Sequence, residues 1–411
     1  MGMFSNVVDM VRVKWQMRTA KVSLTADQED LRYCYDVLQD VSRSFAVVIA
    51  QLNDAGLRDG ICLFYLVLRA LDTVEDDMSV PLDVKLRELP KFHKHTNDVE
   101  WSMTGVGKGR ERELLENYPR VARAAQQLKE EYRVVIEDIC ERMANGMCDF
   151  LQRPVVTKED YNLYCHYVAG LVGHGLTRLF ANCDFEDSHL ADDLTNSNHM
   201  GLFLQKTNII RDYFEDILEE PPRMFWPKEI WGQYGEQLQD FKDRSNEKKA
   251  VECLNAMVAD AVQHIPYVIE YLKPLRDPSI FRFCAIPQVM AIGTLAEVYN
   301  NAETFHVKVK MSRGASCRVM VHSTDLYNAL GMFAEYCDTL LAKLDPNDAS
   351  TPAIRKCLEE AKESIESLRK DQVPVPYMRS LMSHYPGLGG QLLLSLMDSV
   401  SVFFSGEHSA H

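Results

Sequence analysis

Apolar residues recur at three- and four-residue spacings through 28–52, 58–78, 111–150, 158–181, 190–219, 246–273, 283–302, 322–343 and 352–370. That is the period of helices burying one face. Alternating patterns of strand type are short; the clearest is FHVKVK at 305–310, and it is charged. The pattern predicts an all-α fold of long helices joined by short loops. Pro221 and Pro222 end one helical stretch, and Gly56 and Gly60 mark the break before another. Pro266 and Pro287 interrupt apolar patterns, so each should kink or restart a helix. Beyond about residue 344 the texture changes to a turn-rich connector, and 372–390 is rich in proline and glycine. These boundaries predict an N-terminal segment at 1–27, a single domain at 28–370, and a tail at 371–411. No internal repeat suggests tandem domains.

Two of the predicted helices break their apolar pattern with acids. Asp72, Glu75 and Asp76, and then Asp212, Glu215 and Asp216, share the frame D-x-x-E-D. On a helix each set projects three carboxylates from one face, where they repel one another. One such cluster reads equally as a solvated acidic face. Two of them, each inside a strongly apolar helix, point to something cationic between them. Oxygen-only ligands at this density suit Mg²⁺, which typically bridges carboxylates to substrate phosphates. Around the clusters, Arg69 lies one turn before Asp72, while Gln205 and Asn208 extend the second acidic stripe. If metals neutralise a departing diphosphate, a carbocation is left behind, and the pocket beyond should be apolar and aromatic. Phe45, Tyr65, Tyr164 and Phe283 are candidates for its lining.

Composition narrows the choice. The chain has 411 residues, 46% of them hydrophobic and 26% charged, and 45 basic against 60 acidic residues give a net charge of −15. That balance argues against a general nucleic-acid binder. The eleven cysteines form no CxxC pair and sit mostly among apolar neighbours, as reduced core thiols do. No HExxH, dinucleotide-binding glycine motif or phosphate-binding glycine loop occurs. Arg12, Lys14, Arg18 and Lys21 interrupt any signal-peptide core, and no uninterrupted apolar run reaches 18 residues. The stretch QLLLSLMDSVSVFF at 391–404 carries Asp398 and reads either as an interfacial helix or as a terminal core helix. The glycine-rich, charged run at 105–112 reads either as a mobile lid or as a solvated connector.

Five blocks, in order, resemble the eukaryotic squalene synthases: VSRSF at 41–45, YLVLRALDTVEDD at 65–77, YCHYVAGLVG at 164–173, GLFLQKTNIIRDY at 201–213 and FCAIPQVMAI at 283–292. The acid clusters alone also fit phytoene synthases and other trans-isoprenoid synthases. The resemblance implies an isoprenoid-synthase-type helical bundle around a central cavity, acting on two molecules of farnesyl diphosphate with Mg²⁺ and NADPH. One farnesyl diphosphate alkylates the other to give presqualene diphosphate, which then rearranges and is reduced to squalene. By motif, Asp72, Glu75, Asp76, Asp212 and Asp216 would bind metal. Tyr164 would serve the first half-reaction, Phe283 the second carbocation, and Ser42, Arg43 and Phe45 a flap over the site. Tyr65, Val172, Leu176 and Gln205 would contact substrate. Arg43, Arg69, Asn208, Arg211, Lys308 and Lys310 would meet the nicotinamide cofactor, although lysine stands where arginine is expected, and either Lys310 or Arg313 fills the role. The family also implies a monomer on the endoplasmic-reticulum membrane, its catalytic part facing the cytosol.

Overall fold

A computed structural model describes residues 9–10, 12–14 and 22–370. The predicted tail, including 391–404, lies outside the described residues. Among these residues the secondary structure is helical throughout, with no strand. The run at 305–310 leaves a short 3₁₀ turn, Ala302–Phe305, and continues as irregular chain. Its exposed lysines have no sheet edge to join.

Several predicted helices divide where local chemistry dictates. The 28–52 stretch becomes Glu29–Val41 and Arg43–Ile49, separated at Ser42. The 111–150 stretch becomes Gly109–Glu116, Tyr118–Ala125 and Glu130–Phe150, with Pro119 in the first turn of the second. Pro266 likewise starts a new helix, Ile265–Leu272. Pro287 does not: it lies within the continuous helix Pro278–Val298. Gly56 and Gly60 are also inside a helix, Ala55–Asp76, capped by Asp54, whose Oδ1 accepts from the Leu57 amide at 2.8 Å. Gly60 permits close approach instead of a break, since a Cβ there would lie 3.0 Å from the Tyr132 ring.

The organising element is the helix Thr195–Arg211. It packs against Leu171–Ala181, Glu247–Val262, Ile265–Leu272 and Pro278–Val298, and against a π turn, His166–Gly170. Buried on nearly every side, it tolerates one charged interior residue, Lys206, because Asp260 accepts its ammonium at 2.5 Å. Pro278–Val298 is long and apolar enough to cross a membrane, yet most of it is buried inside the protein, as a core helix is. One contiguous core runs from Val13 to Ile365, so the N-terminal segment also contributes to it. All eleven cysteines are free, and nine of them are buried.

Removing one partner of a buried ion pair leaves an uncompensated charge in a dry site. Asp260→Ala should therefore destabilise the fold by ~3–5 kcal/mol. Denaturant unfolding checks this; a loss no larger than that of a surface substitution would contradict it.

Candidate active site

The helix Ala55–Asp76 borders two cavities. The larger, about 520 Å³, is lined by Glu75, Asp76, Lys85, Phe150, Arg153, Tyr164, Arg223 and Phe225, among others. The smaller, about 150 Å³, is mostly apolar: Phe45, Phe64, Tyr65, Val172, Leu176 and Phe283 surround it, with Arg69 and Asp72 also in its lining. Consecutive turns of one helix therefore deliver Tyr65, Arg69 and Asp72 to the apolar cavity, and Glu75 and Asp76 to the polar one.

The second cluster departs from the one-helix picture. Asp212 leaves the helical conformation (φ −90°, ψ 5°), and Tyr213–Asp216 forms a separate single turn. Its acids already have partners in the chain. Arg211 grips Asp212 through two bonds, at 2.8 and 2.6 Å. Lys308 lies 3.4 Å from the same carboxylate and also pairs with Glu215. Between the clusters stands Arg223, which bonds Asp76 through its side chain and donates its backbone amide to the Asp216 carbonyl at 2.9 Å. Its guanidinium lies 5.0 Å above the Phe225 ring, and Phe225 stacks on Tyr164 with centroids 4.9 Å apart.

These cations do not balance the acids. Burial, reinforced by Asp76, pushes Asp72 up to about 7 against the opposing pull of Arg69. Burial and the neighbouring Asp76 push Glu75 up to about 8. Burial, with Asp212 and Asp76 nearby, pushes Asp216 up to about 7, although Arg223 opposes it. Burial thus keeps protons on Asp72, Glu75 and Asp216 near neutral pH, and their partner cations do not offset it. Tyr164 is buried, and burial and Glu75 raise its phenol well above the ordinary range, so it stands neutral. Among the described residues no three acidic, histidine or cysteine side chains converge as a preformed metal cage. The donor chemistry nevertheless fits a divalent cation: the ligands are all oxygen, crowded together and spread over two facing elements.

The squalene/phytoene synthase family model matches residues 38–315, which span both acid clusters and both cavities. The chain belongs to the squalene/phytoene synthase family. Squalene synthase of Nicotiana benthamiana is 51% identical over 328 residues, covering 80% of this chain and 79% of that protein. Squalene synthase of Mus musculus is 44% identical over 355 residues, covering 86% and 82%. A solved ligand complex of TcSQS superposes with a TM-score of 0.82 at 62% identity, covering 83% of this chain and 99% of that one. This synthase is accordingly an all-α farnesyl-diphosphate farnesyltransferase of the squalene synthase type, a transferase of isoprenoid and sterol biosynthesis.

The predicted site residues fall into distinct groups on this synthase. Phe45, Tyr65, Val172, Leu176 and Phe283 meet in the apolar cavity, with the Phe45 and Tyr65 rings 5.8 Å apart. Glu75, Asp76 and Tyr164 share the polar one. Of the expected cofactor contacts, Arg211 and Lys308 converge on Asp212, whereas Arg69 sits apart, bonded to the Tyr65 hydroxyl at 3.1 Å and 3.7 Å from Glu111. Asn208, Lys310 and Arg313 are exposed. Gln205 and Ser42 line neither cavity. Arg43 starts its helix, and its side chain lies outside the described residues. The glycine run at 105–112 is tied down: the Gly107 amide donates to Asp77 Oδ2 at 2.7 Å, and Gly105, Gly107 and Gly109 all take positive φ. A Cβ on Gly107 would lie 2.5 Å from the Thr73 methyl, so the run packs tightly on the first acidic helix. The sequence reading missed Arg223, Phe225, Lys85 and Arg153. Arg223 stands seven residues after Asp216, beyond the two prolines that turn the chain back, and that turn is its only signal in the sequence.

Raised carboxyl values have a definite consequence for stability. Asp72, Glu75 and Asp216 keep protons in the folded chain at a pH where the unfolded chain has lost them. Stability is therefore fully present below the ordinary carboxylate range and is lost as pH rises through the folded values. Without divalent cations, Tm should fall between about pH 5 and about pH 8, and the Asp72→Asn, Asp216→Asn double variant should flatten the decline. A wild-type Tm that rises across this window would contradict the charge imbalance.

Proposed function

We propose that the two cavities divide the two half-reactions of squalene synthesis, with 28–370 as the catalytic domain. The observation carrying this reading is the shared helix Ala55–Asp76, which presents acids to both cavities while Tyr164 lines one and Phe283 the other. Farnesyl diphosphate is the substrate class this implies, its phosphates toward the acid clusters and its isoprenoid chain in apolar space.

Asp72, Glu75, Asp76, Asp212 and Asp216 would hold Mg²⁺, which would displace the protons that burial retains on Asp72, Glu75 and Asp216. When bound, Mg²⁺ supplies Lewis-acid neutralisation of the departing diphosphate, and NADPH supplies the reducing equivalent for the second step. Arg223 is placed to exchange Asp76 for diphosphate oxygens. Tyr164, neutral and stacked on Phe225, faces the first allylic cation with its ring and hydroxyl, which suits cation stabilisation better than proton removal. Phe283, packed edge-on to Phe180 at 6.0 Å, offers a rigid aromatic face to the second cation. The mostly apolar lining of the smaller cavity would limit the water that can reach that cation. Arg211 and Lys308, drawn together at Asp212, form a cationic patch suited to a cofactor phosphate, with Arg43, Arg69, Asn208, and Lys310 or Arg313 as further candidates. Their separation in the present arrangement means Arg69 serves a different part of the ligands from Lys308. We assign the enzyme to the endoplasmic-reticulum membrane as a monomer with a cytosolic site, on its kinship with the squalene synthases alone.

Given farnesyl diphosphate, Mg²⁺ and NADPH, the purified chain should release squalene; a NADPH-independent C30 product would instead indicate dehydrosqualene- or phytoene-type chemistry. Asp72→Asn or Asp212→Asn should lower turnover by about a hundredfold or more. Phe283→Ala should leave presqualene diphosphate formation largely intact while squalene output falls by about tenfold or more, as expected for the loss of one desolvated cation–π contact. Product analysis by mass spectrometry distinguishes this from an equal loss of both steps, which would mark Phe283 as packing only.

A further inference from the structure

The helices Lys158–Cys165 and Leu171–Ala181 are one rod broken only by the π turn His166–Gly170. A π turn inserts one residue and advances everything beyond it by roughly 100°. It weakens the local hydrogen-bond ladder, so it persists where its surroundings hold it. Here it lies between Tyr164, which faces the polar cavity, and Val172, which faces the apolar one, with Val168 inside the turn itself.

The hold comes from the neighbouring helix Thr195–Arg211. Asn198 Oδ1 and His166 Nδ1 are 2.7 Å apart, so with the amide oxygen accepting, Nδ1 carries the proton. The same oxygen fills the space over Gly170, where a Cβ would sit 2.1 Å from it and 3.0 Å from His166 Nδ1. Asn198 thus occupies a niche that only glycine at 170 leaves open, and it fixes the first residue of the turn. Beyond the turn the rod is tied independently. A Cβ on Gly173 would lie 2.2 Å from the Ser197 carbonyl, and the Thr177 hydroxyl bonds that of Tyr271 at 2.7 Å. Any slip of the inserted residue must therefore appear on the Tyr164 side. Neither Asn198 nor His166 lines either cavity.

We infer that Asn198 and His166 are a positioning pair for the first half-reaction: their hydrogen bond locks the π turn and thereby aims Tyr164 at the acid clusters. This rests on the role proposed above for Tyr164. Without the bond the extra residue can migrate along the rod and rotate Tyr164 off its stack on Phe225, while Phe283, on another helix, keeps its place.

The test compares Asn198→Ala with Asn198→Asp, which keeps an acceptor oxygen at the same reach. Three readouts are needed: presqualene diphosphate formed from farnesyl diphosphate, squalene formed from supplied presqualene diphosphate, and amide hydrogen exchange across 164–170. Asn198→Ala should lower kcat of the first step on the order of tenfold to a hundredfold with KM little changed. The second step should stay within about twofold, exchange across the turn should quicken, and Asn198→Asp should recover most of the first step. A normal first step in Asn198→Ala, equal loss of both steps, or no recovery in Asn198→Asp would overturn the inference. Should Asn198→Ala fail to fold, Asn198→Ser, whose hydroxyl falls short of His166, is held to the same outcomes. Tyr164→Leu, which removes the ring, separates the two levels. If it leaves the first step intact, the reading of Tyr164 fails; if it removes that step while Asn198→Ala does not, only the positioning pair fails.

Discussion

Carboxyls of two acid clusters, one on the helix Ala55–Asp76 and one on the turn Tyr213–Asp216, are buried near one another around Arg223, and that burial is the constraint the rest of the molecule accommodates. Arg223, Arg211 and Lys308 each stand against one or two of the acids, yet Asp72, Glu75 and Asp216 still hold protons near neutrality. Such an arrangement survives because its supports are anchored elsewhere. Thr195–Arg211 is buried on nearly every side and pinned through Lys206 to Asp260, and Ala55–Asp76 buries most of its length against neighbouring helices. The apolar core fixes the backbone, and the charge deficit is left for a ligand to relieve.

That deficit also explains the division of the site. On the proposed function, a diphosphate with its metals would lie beside Glu75, Asp76 and Arg223. On the same reading, a carbocation would lie beside the aromatic faces of Phe45, Tyr65 and Phe283. One helix spans both environments, so the leaving group and the cation it generates stay within a few turns of each other. The π turn at His166–Gly170 sits at the junction, between Tyr164 on one cavity and Val172 on the other.

The helical fold was readable because its signal is periodic burial, which sequence spacing reports directly. Where the reading failed, a competing local interaction decided the outcome. Gly60 looked like a break but makes room for Tyr132, and Pro287 is absorbed by a helix whose neighbours hold it on all sides. Asp72, Glu75 and Asp76 were legible as a carboxylate set because they share one helix. Arg223 was not, because its partner Asp76 lies 147 residues away and only the folded chain brings them together. The same holds for Asn198 against His166 and for Lys308 against Glu215. Spacing along one element predicts a face; it does not predict what another element sets against that face.

Asp72, Glu75 and Asp216 hold protons because they are buried with too little positive charge beside them, and on the proposed function a metal–diphosphate complex should replace those protons. Calorimetry of Mg²⁺ and inorganic diphosphate binding at about pH 7, repeated in buffers of different ionisation enthalpy, measures the protons released. Net release of protons that largely disappears in the Asp72→Asn, Asp216→Asn double variant is the predicted result. Binding heats independent of the buffer, or release unchanged in the double variant, would contradict it.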